Sequence, residues 1–306
     1  MASTLNTTLK IWLKAFRLRT LPLALSCIGM GSFIAAVEGY FQFKIFFFSV
    51  LTTVFLQVLS NLANDYGDSV HGADSDARKG PQRTVQSGLI SSKQMKLAML
   101  LFTLAAFISG CSLLWVSFGA AYLTQMLIFL GVGLLAIWAA ITYTAGKNPY
   151  GYAGLGDFSV LIFFGWVGVL GTFFLYTKAI NWFHILPATS CGLFAVAVLN
   201  VNNIRDIDSD TEAGKRSIPV RIGRKAARIY HWGLLLTALA TSIIWVLLNF
   251  KGMAQFAFFI ALPLILRNGI AVSKFEDPAQ LDPFLKQMAL ATLLFVLGFG
   301  LGNLWV

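Results

Sequence analysis

Apolar stretches long enough to cross a lipid bilayer recur along the whole chain of 306 residues. A membrane-spanning helix needs about 20 mainly apolar residues, because hydrocarbon offers no partner for backbone N–H and C=O groups. Only 12% of the residues are charged, against about one quarter in an ordinary soluble domain. The sequence therefore predicts an all-α, polytopic membrane protein that forms one domain over residues 1–306.

Nine such stretches define the predicted spans. They cover residues 21–39, 44–63, 95–116, 119–143, 156–177, 183–203, 230–250, 253–273 and 286–306. Nineteen of the Lys and Arg residues fall on one side of these spans and three on the other. This asymmetry predicts a multi-pass protein of the inner (plasma) membrane with a cytoplasmic N-terminus. The net charge of +10 belongs to these short connections, so we expect no nucleic-acid partner.

The acidic residues are concentrated far more than the basic ones. Eight of the 13 fall in two short segments. They are Asp65, Asp68, Asp74 and Asp76 in the first segment, and Asp206, Asp208, Asp210 and Glu212 in the second. Each segment continues the cytoplasmic end of a predicted span, so we expect the two to face each other.

The spacing within these segments suits a bound cation. Asn64 and Asp68 are four residues apart, as are Asp206 and Asp210, and residues at this spacing share one face of a helix. Mg²⁺ takes a few protein oxygens and keeps other positions for water and substrate phosphate. One such segment alone fits a solvated loop equally well. Two on the same side favour a Mg²⁺ site made of these four residues.

Basic residues follow both acidic segments. They are Arg78, Lys79 and Arg83 after the first, and Lys215 and Arg216 after the second. Arg contacts phosphate through two parallel hydrogen bonds and Lys acts as a mobile point charge. The same residues also serve as topology signals. Together with the carboxylates, they favour a site for a Mg²⁺-diphosphate.

The segment between the fourth and fifth spans is a structured turn rich in Gly and Tyr, from Tyr143 to Asp157. Asp157 begins an otherwise apolar span. An ionisable group at such a position is a functional candidate. A carboxylate that caps the N-terminus of the fifth span explains it nearly as well.

The two acidic segments resemble the motifs of the UbiA superfamily of intramembrane aromatic prenyltransferases. They read Asn64-Asp65-Tyr66-Gly67-Asp68 and Asp206-Ile207-Asp208-Ser209-Asp210. The next acid of the first motif is displaced to Asp74, and Lys79-Gly80-Pro81-Gln82-Arg83 follows it. The displaced acid and the basic stretch after it resemble one branch, the 1,4-dihydroxy-2-naphthoate polyprenyltransferases.

This resemblance implies a nine-helix fold and a Mg²⁺-dependent reaction. A polyprenyl group would pass from polyprenyl diphosphate to 1,4-dihydroxy-2-naphthoate within the lipid bilayer. Diphosphate and CO₂ would leave, giving demethylmenaquinol for menaquinone biosynthesis. The residues expected to be catalytic are Asp68, Asp206, Asp210, Lys79 and Arg83. Those expected to contact substrate are Asn61, Asp65, Asp74, Arg78, Gln86, Tyr143, Asn203, Arg205 and Lys215.

Other functions remain open from the sequence. Within the superfamily they are 4-hydroxybenzoate, homogentisate and haem prenyl transfer. A CDP-alcohol phosphotransferase would need its acidic residues in a different order within one stretch. A cation-coupled transporter would place carboxylates near the bilayer midplane on broken helices. The position of the acidic segments at the ends of spans favours the enzyme.

Overall fold

The structure is a computed structural model that describes residues 2–72 and 80–306, with side chains from residue 7 onward. Three predicted site residues, Asp74, Arg78 and Lys79, lie outside the described residues. Within these ranges every regular element is a helix, which confirms the all-α prediction. The α-helices are α1 (Ala2–Phe16), α2 (Leu21–Val37), α3 (Phe43–His71), α4 (Ser92–Phe118), α5 (Leu123–Thr142), α6 (Gly156–Val160), α7 (Thr172–Thr177), α8 (Ile185–Arg205), α9 (Ile207–Glu212), α10 (Ile218–Leu248), α11 (Leu262–Lys274) and α12 (Asp282–Leu304).

Across the described ranges, nine helical segments are long and apolar enough to cross a membrane, as predicted. They are Thr7–Val37, Phe43–His71, Ser92–Phe118, Leu123–Thr142, Gly156–Thr177, Trp182–Arg205, Ile218–Leu248, Met253–Lys274 and Pro278–Leu304. Four boundaries differ from the sequence prediction by eight residues or more, and two of them are the starts of the first span at Thr7 and of the ninth at Pro278. The second span continues as helix to His71, and the seventh begins at Ile218. Apolar windows detect only the part of a helix that lipid surrounds, so polar extensions of the same helix escape them.

The core is built by α2, α8, α10 and α12 around the fifth span. Small residues let backbones approach closely here, as is common between membrane helices. A Cβ on Gly31 of α2 would collide with the carbonyl oxygen of Val169. Gly165 and Gly192 face each other in the same way between the fifth span and α8. These contacts hold α2 and α8 against the fifth span, and α8 leads into the second acidic segment.

The fifth span contains a π-helix, Leu161–Gly171, between α6 and α7. Such wide helical turns are frequently found at functional sites. The neighbouring α5 packs on α3 and α4 but only weakly on this span. A cleft therefore separates α5 from the π-helix.

Asp157 lies in the first turn of α6, and the residue at the N-cap position is Leu155, so the capping interpretation is wrong. The Asp157 carboxylate is buried and accepts a hydrogen bond of 2.9 Å from the Tyr230 hydroxyl on α10. This contact ties the fifth span to the seventh.

Candidate active site

A cavity of about 440 Å³ runs into the bundle from the end that carries the acidic segments. Its outer end is polar, and its inner part is apolar. The polar lining includes Asn61, Asn64, Asp68, Arg83, Tyr143, Asn203 and Lys215. The inner lining includes Cys27, Phe107, Leu114, Phe129, Phe163 and Leu175. The cavity thus joins a charged pocket to a hydrocarbon-lined channel.

The first acidic motif lies on the last turns of α3. Asp68 is 5% exposed, and its two carboxylate oxygens accept hydrogen bonds from the Tyr152 hydroxyl (3.0 Å) and Arg83 Nη2 (3.4 Å). Gly67 lies directly against the backbone of Thr144, so that a Cβ there would collide with its carbonyl oxygen. The glycine inside the motif therefore lets α3 meet the turn between the fourth and fifth spans.

Asn64 stands one turn before Asp68 and lines the same cavity. Its Oδ1 accepts a hydrogen bond of 2.9 Å from Thr144 Oγ1. Asn61 also lines the cavity, but its Nδ2 donates to the Phe16 carbonyl and to Thr20 Oγ1, both at 2.9 Å. It therefore also holds the entry of α2 in place.

Asp65 lies on a different face of α3. Its carboxylate accepts hydrogen bonds from Thr84 Oγ1 (2.7 Å) and from the backbone N–H groups of Thr84 and Val85 (3.1 Å each). These bonds attach the turn after the first acidic segment to α3. Arg83 lines the cavity from this turn, whereas Gln86, half-buried in the same turn, is not among the described lining residues.

The second acidic segment begins where α8 ends. Both oxygens of Asp206 are hydrogen-bonded by Arg205, at 2.8 Å from Nε and 2.7 Å from Nη2. Arg205 Nη1 also donates to Asp282 at 2.6 Å. Because Arg205 is 1% exposed and bound to two carboxylates, the structure places it behind the site and not in the cavity lining. Arg205 was predicted to contact substrate, but from this position it reaches the site through Asp206.

Lys215 connects the two acidic motifs. Its Nζ lies 3.2 Å from Asp210 Oδ1 and 4.0 Å from Asp68 Oδ1, and 5.2 Å from the centre of the Tyr152 ring. Burial acts to lower the pKa of Lys215, but the carboxylates of Asp68 and Asp210 outweigh it and raise that pKa. Lys215 is therefore a permanent cation at the polar end of the cavity.

Asp210 is 3% exposed, and its two carboxylate oxygens differ in their hydrogen bonding. Its Oδ1 accepts from Lys215, while its buried Oδ2 has no hydrogen-bond partner among the described residues. Burial, followed by the charges of Asp206 and Asp68, raises its pKa to about 6 despite the opposing effect of Lys215. Burial likewise raises the pKa of Tyr143 far above its usual value, which keeps that phenol protonated.

Comparison with known proteins agrees with this architecture. The model of the UbiA prenyltransferase family matches residues 24–293. The chain belongs to the UbiA prenyltransferase family.

Similar members of this family carry a common name. The 1,4-dihydroxy-2-naphthoate octaprenyltransferase of Haemophilus influenzae is 44% identical over 98% of this chain and 97% of its own length. The enzymes of that name from Escherichia coli (42%, covering 95% and 96%) and Mycobacterium tuberculosis (33%, covering 94% and 94%) are also similar.

Solved structures of UbiA homologues share the fold. One from Aeropyrum pernix has a TM-score of 0.68 at 16% identity, covering 92% of this chain and 97% of the homologue. Another, from Archaeoglobus fulgidus bound to DMAPP and Mg²⁺, has a TM-score of 0.60 at 16% identity, covering 96% and 99%. At this identity they establish the fold alone.

The polar end of this UbiA-type cavity suits a hard cation. Among the described residues, no three His, Cys, Asp or Glu side chains are close enough to form a ready-made metal cluster. Asn64 and Asp68 nevertheless offer oxygen ligands from the cavity lining. Asp206 and Asp210 are not among the described lining residues, but Lys215 joins Asp210 to Asp68, and Asp210 Oδ2 has no hydrogen-bond partner among the described residues. Mg²⁺ needs few protein ligands when phosphate supplies the others. These residues therefore fit a Mg²⁺ that arrives with a diphosphate.

Two contributors to this UbiA-type site escaped the sequence reasoning. Tyr152, which donates to Asp68, lies in a turn recognised only by its Gly and Tyr content. Asp282, which binds Arg205, lies at the start of the last span, outside both acidic segments. Nothing in their local sequence distinguishes them, because their partners lie 84 and 77 positions away.

Proposed function

We propose that this chain transfers a polyprenyl group from polyprenyl diphosphate to 1,4-dihydroxy-2-naphthoate. Diphosphate and CO₂ leave, and the product is demethylmenaquinol for menaquinone biosynthesis. The observation that carries this proposal is the cavity itself, whose charged end meets an apolar channel. Relatives named for this reaction align with nearly the whole chain, which supports the choice of acceptor.

The charged end stabilises the leaving diphosphate. Arg83 and Lys215 contribute buried positive charge there, and Asn64, Asp68, Asp206 and Asp210 would hold Mg²⁺. Mg²⁺, when bound, supplies further neutralisation of the charge that develops on the leaving group. Both oxygens of Asp206 accept hydrogen bonds from Arg205, and a carboxylate oxygen can accept more than one partner.

The allylic carbon becomes cationic as diphosphate leaves. The C–O bond electrons leave with diphosphate, and the electron-rich ring then forms the new C–C bond through the carbon that carries the carboxylate. Loss of CO₂ returns its bonding electrons to the ring and restores aromaticity. Tyr143, a protonated phenol in the cavity wall, can donate a hydrogen bond to an anionic substrate group.

The apolar part of the cavity accommodates the prenyl tail. It is lined on one side by α5 and on the other by the π-helix, including Phe129 and Phe163. Since α5 packs weakly on the fifth span, a tail longer than the cavity can leave between them into lipid. We further propose that the chain is one domain in the inner membrane, with the N-terminus and charged end in the cytoplasm.

A direct assay tests the reaction. Purified protein is incubated with Mg²⁺, a polyprenyl diphosphate and several aromatic acids, and products are identified by mass together with released CO₂. We expect a prenylated product and CO₂ from 1,4-dihydroxy-2-naphthoate. A product that keeps its carboxyl group, or one formed only from 4-hydroxybenzoate, would reject the proposed acceptor. Solute uptake into vesicles without any prenyl diphosphate would favour a transporter instead.

The metal residues are tested by Asp68→Asn and Asp210→Asn. Each should reduce turnover by about 100-fold or more, since one electrostatic contact to the transition state contributes on the order of 10²–10³ in rate. Asp208→Asn is the matched control, because Asp208 belongs to the same segment but is 67% exposed and paired with Arg224. Near-normal turnover in either of the first two variants would reject the site.

A further inference from the structure

Four charged side chains from three parts of the chain form continuous ion pairs that include Asp206 of the second acidic segment. Arg205 lies 2.7 Å from Asp206 and 2.6 Å from Asp282, and Arg19 lies 3.1 Å from the other oxygen of Asp282. We name Arg19, Arg205, Asp206 and Asp282 the charge quartet. It joins the short turn before α2, the end of α8 and the start of α12.

Arg205 is the centre of this quartet. Its side chain is 0% exposed, and its remaining hydrogen-bond partner is Asn202 at 2.8 Å. A buried cation is strongly destabilising unless carboxylates compensate it. Arg205 has two carboxylates, so it is shared between Asp206 and Asp282. Its attraction for Asp206 is correspondingly weaker than it would be with Asp206 as the sole anion.

The charges within the quartet sum to zero, since it has two guanidinium groups and two carboxylates. One of these carboxylates, Asp206, is a proposed ligand of a divalent cation. Removal of the Asp282 charge leaves a net charge of +1 there and makes Arg205 depend on Asp206 alone. Both changes oppose the binding of a cation to the second acidic segment.

We propose that Asp282 is a positioning residue for the metal-diphosphate site. By sharing Arg205, it keeps the Asp206 carboxylate oriented and sufficiently negative to help hold a divalent cation. Asp282 is not among the described residues that line the cavity, so it acts through its ion pairs and not by direct contact with the metal. The inference rests on the proposed function, because it concerns the metal of that reaction.

The test measures metal binding directly in the solubilised full chain. Mn²⁺ with inorganic diphosphate is the probe, and equilibrium dialysis measures the Mn²⁺ that the protein retains above a protein-free control, because diphosphate alone also removes the free Mn²⁺ resonance signal. We expect Asp282→Asn to weaken Mn²⁺ binding by about 10-fold to 100-fold, the range typical of a lost partner behind a ligand. In the prenyl-transfer assay, the half-saturating Mg²⁺ concentration should rise similarly, while the rate at saturating Mg²⁺ changes much less.

Variants that restore the net charge of the quartet distinguish an effect of Asp282 on metal binding from a purely structural effect. The double variant Arg19→Gln with Asp282→Asn restores a neutral quartet, so it should bind Mn²⁺ more tightly than Asp282→Asn alone. Arg19→Gln by itself leaves a net charge of −1 and should bind Mn²⁺ at least as tightly as the wild type. Asp282→Glu keeps the charge and should restore most of the binding. If Asp282→Asn does not fold, Arg19→Gln and Asp282→Glu still decide the proposal.

The matched control is Asp208→Asn, which removes an equal charge from the exposed ion pair with Arg224 at 3.3 Å. It should bind Mn²⁺ like the wild type. Wild-type affinity in Asp282→Asn, or a double variant that binds more weakly than Asp282→Asn, would overturn the inference while leaving the proposed function intact. A wild-type protein that binds no divalent metal in the presence of diphosphate would overturn both.

Discussion

Lys215 holds two carboxylates that come from opposite halves of the chain. Its Nζ is within 4.0 Å of Asp68 and 3.2 Å of Asp210, and it is 8% exposed. In this position it competes with any cation for the same oxygens. It also provides positive charge to a diphosphate. One residue therefore has opposite effects on metal binding and on catalysis.

We expect Lys215→Gln to separate these effects. Without diphosphate, Mn²⁺ should bind more tightly than to the wild type, because the competing cation is gone. Turnover should nevertheless fall by about 100-fold, since a charge that stabilises the leaving diphosphate is lost. Metal binding by paramagnetic resonance and the prenyl-transfer assay check the two halves. The exposed Lys225→Gln serves as control, and normal turnover in Lys215→Gln would contradict the assignment.

At the scale of elements, the turn after the first acidic segment depends on α3. Asp65 accepts three hydrogen bonds from Thr84 and Val85, and Arg83 next to them reaches Asp68. Asp65 was predicted to contact substrate, a role that stays a prediction. The structure gives it a clear mechanical role, because its carboxylate fixes the turn that brings Arg83 to the cavity.

Thr84→Val removes one donor to the buried Asp65 carboxylate while keeping the shape of the side chain. A hydrogen bond to a charged group contributes about 1.5–3 kcal/mol, so the turn should loosen and kcat/KM should fall by about tenfold. Steady-state kinetics and limited proteolysis of the turn measure this. Thr84→Ser keeps the hydroxyl and should behave like the wild type. Equal activity of both variants would show that the bond does not position Arg83.

For the whole molecule, close helix packing is the main constraint. Gly31 has the backbone of Val169 directly against it, so Gly31→Ala must move the fifth span away from α2. Such overpacking costs about 1–3 kcal/mol. The thermal midpoint of the purified protein should therefore fall. Gly131 on α5 has open space where a Cβ would lie, and Gly131→Ala should leave the midpoint unchanged or slightly higher. An unchanged midpoint in Gly31→Ala would contradict the packing.

Much of the fold could be predicted from the sequence, because the length of an apolar stretch can be counted directly along the chain. The nine spans and the all-helical architecture are confirmed for that reason across the described ranges. The four-residue spacing also identified Asn64 and Asp68, which the structure brings to one cavity. The ends of the helices were less predictable, since the acidic motif after residue 63 remains helical as far as His71.

What the sequence alone determined is that the two acidic segments lie at the ends of membrane spans and are followed by bases. Only the tertiary structure decided which base meets which acid. Lys215 joins Asp68 and Asp210, while Arg205 takes Asp206 and shares itself with the distant Asp282. The physical reason is that these pairings depend on side-chain direction and on contacts between spans far apart in the chain. The spacing of residues within one span specifies neither the side-chain directions nor the contacts between distant spans.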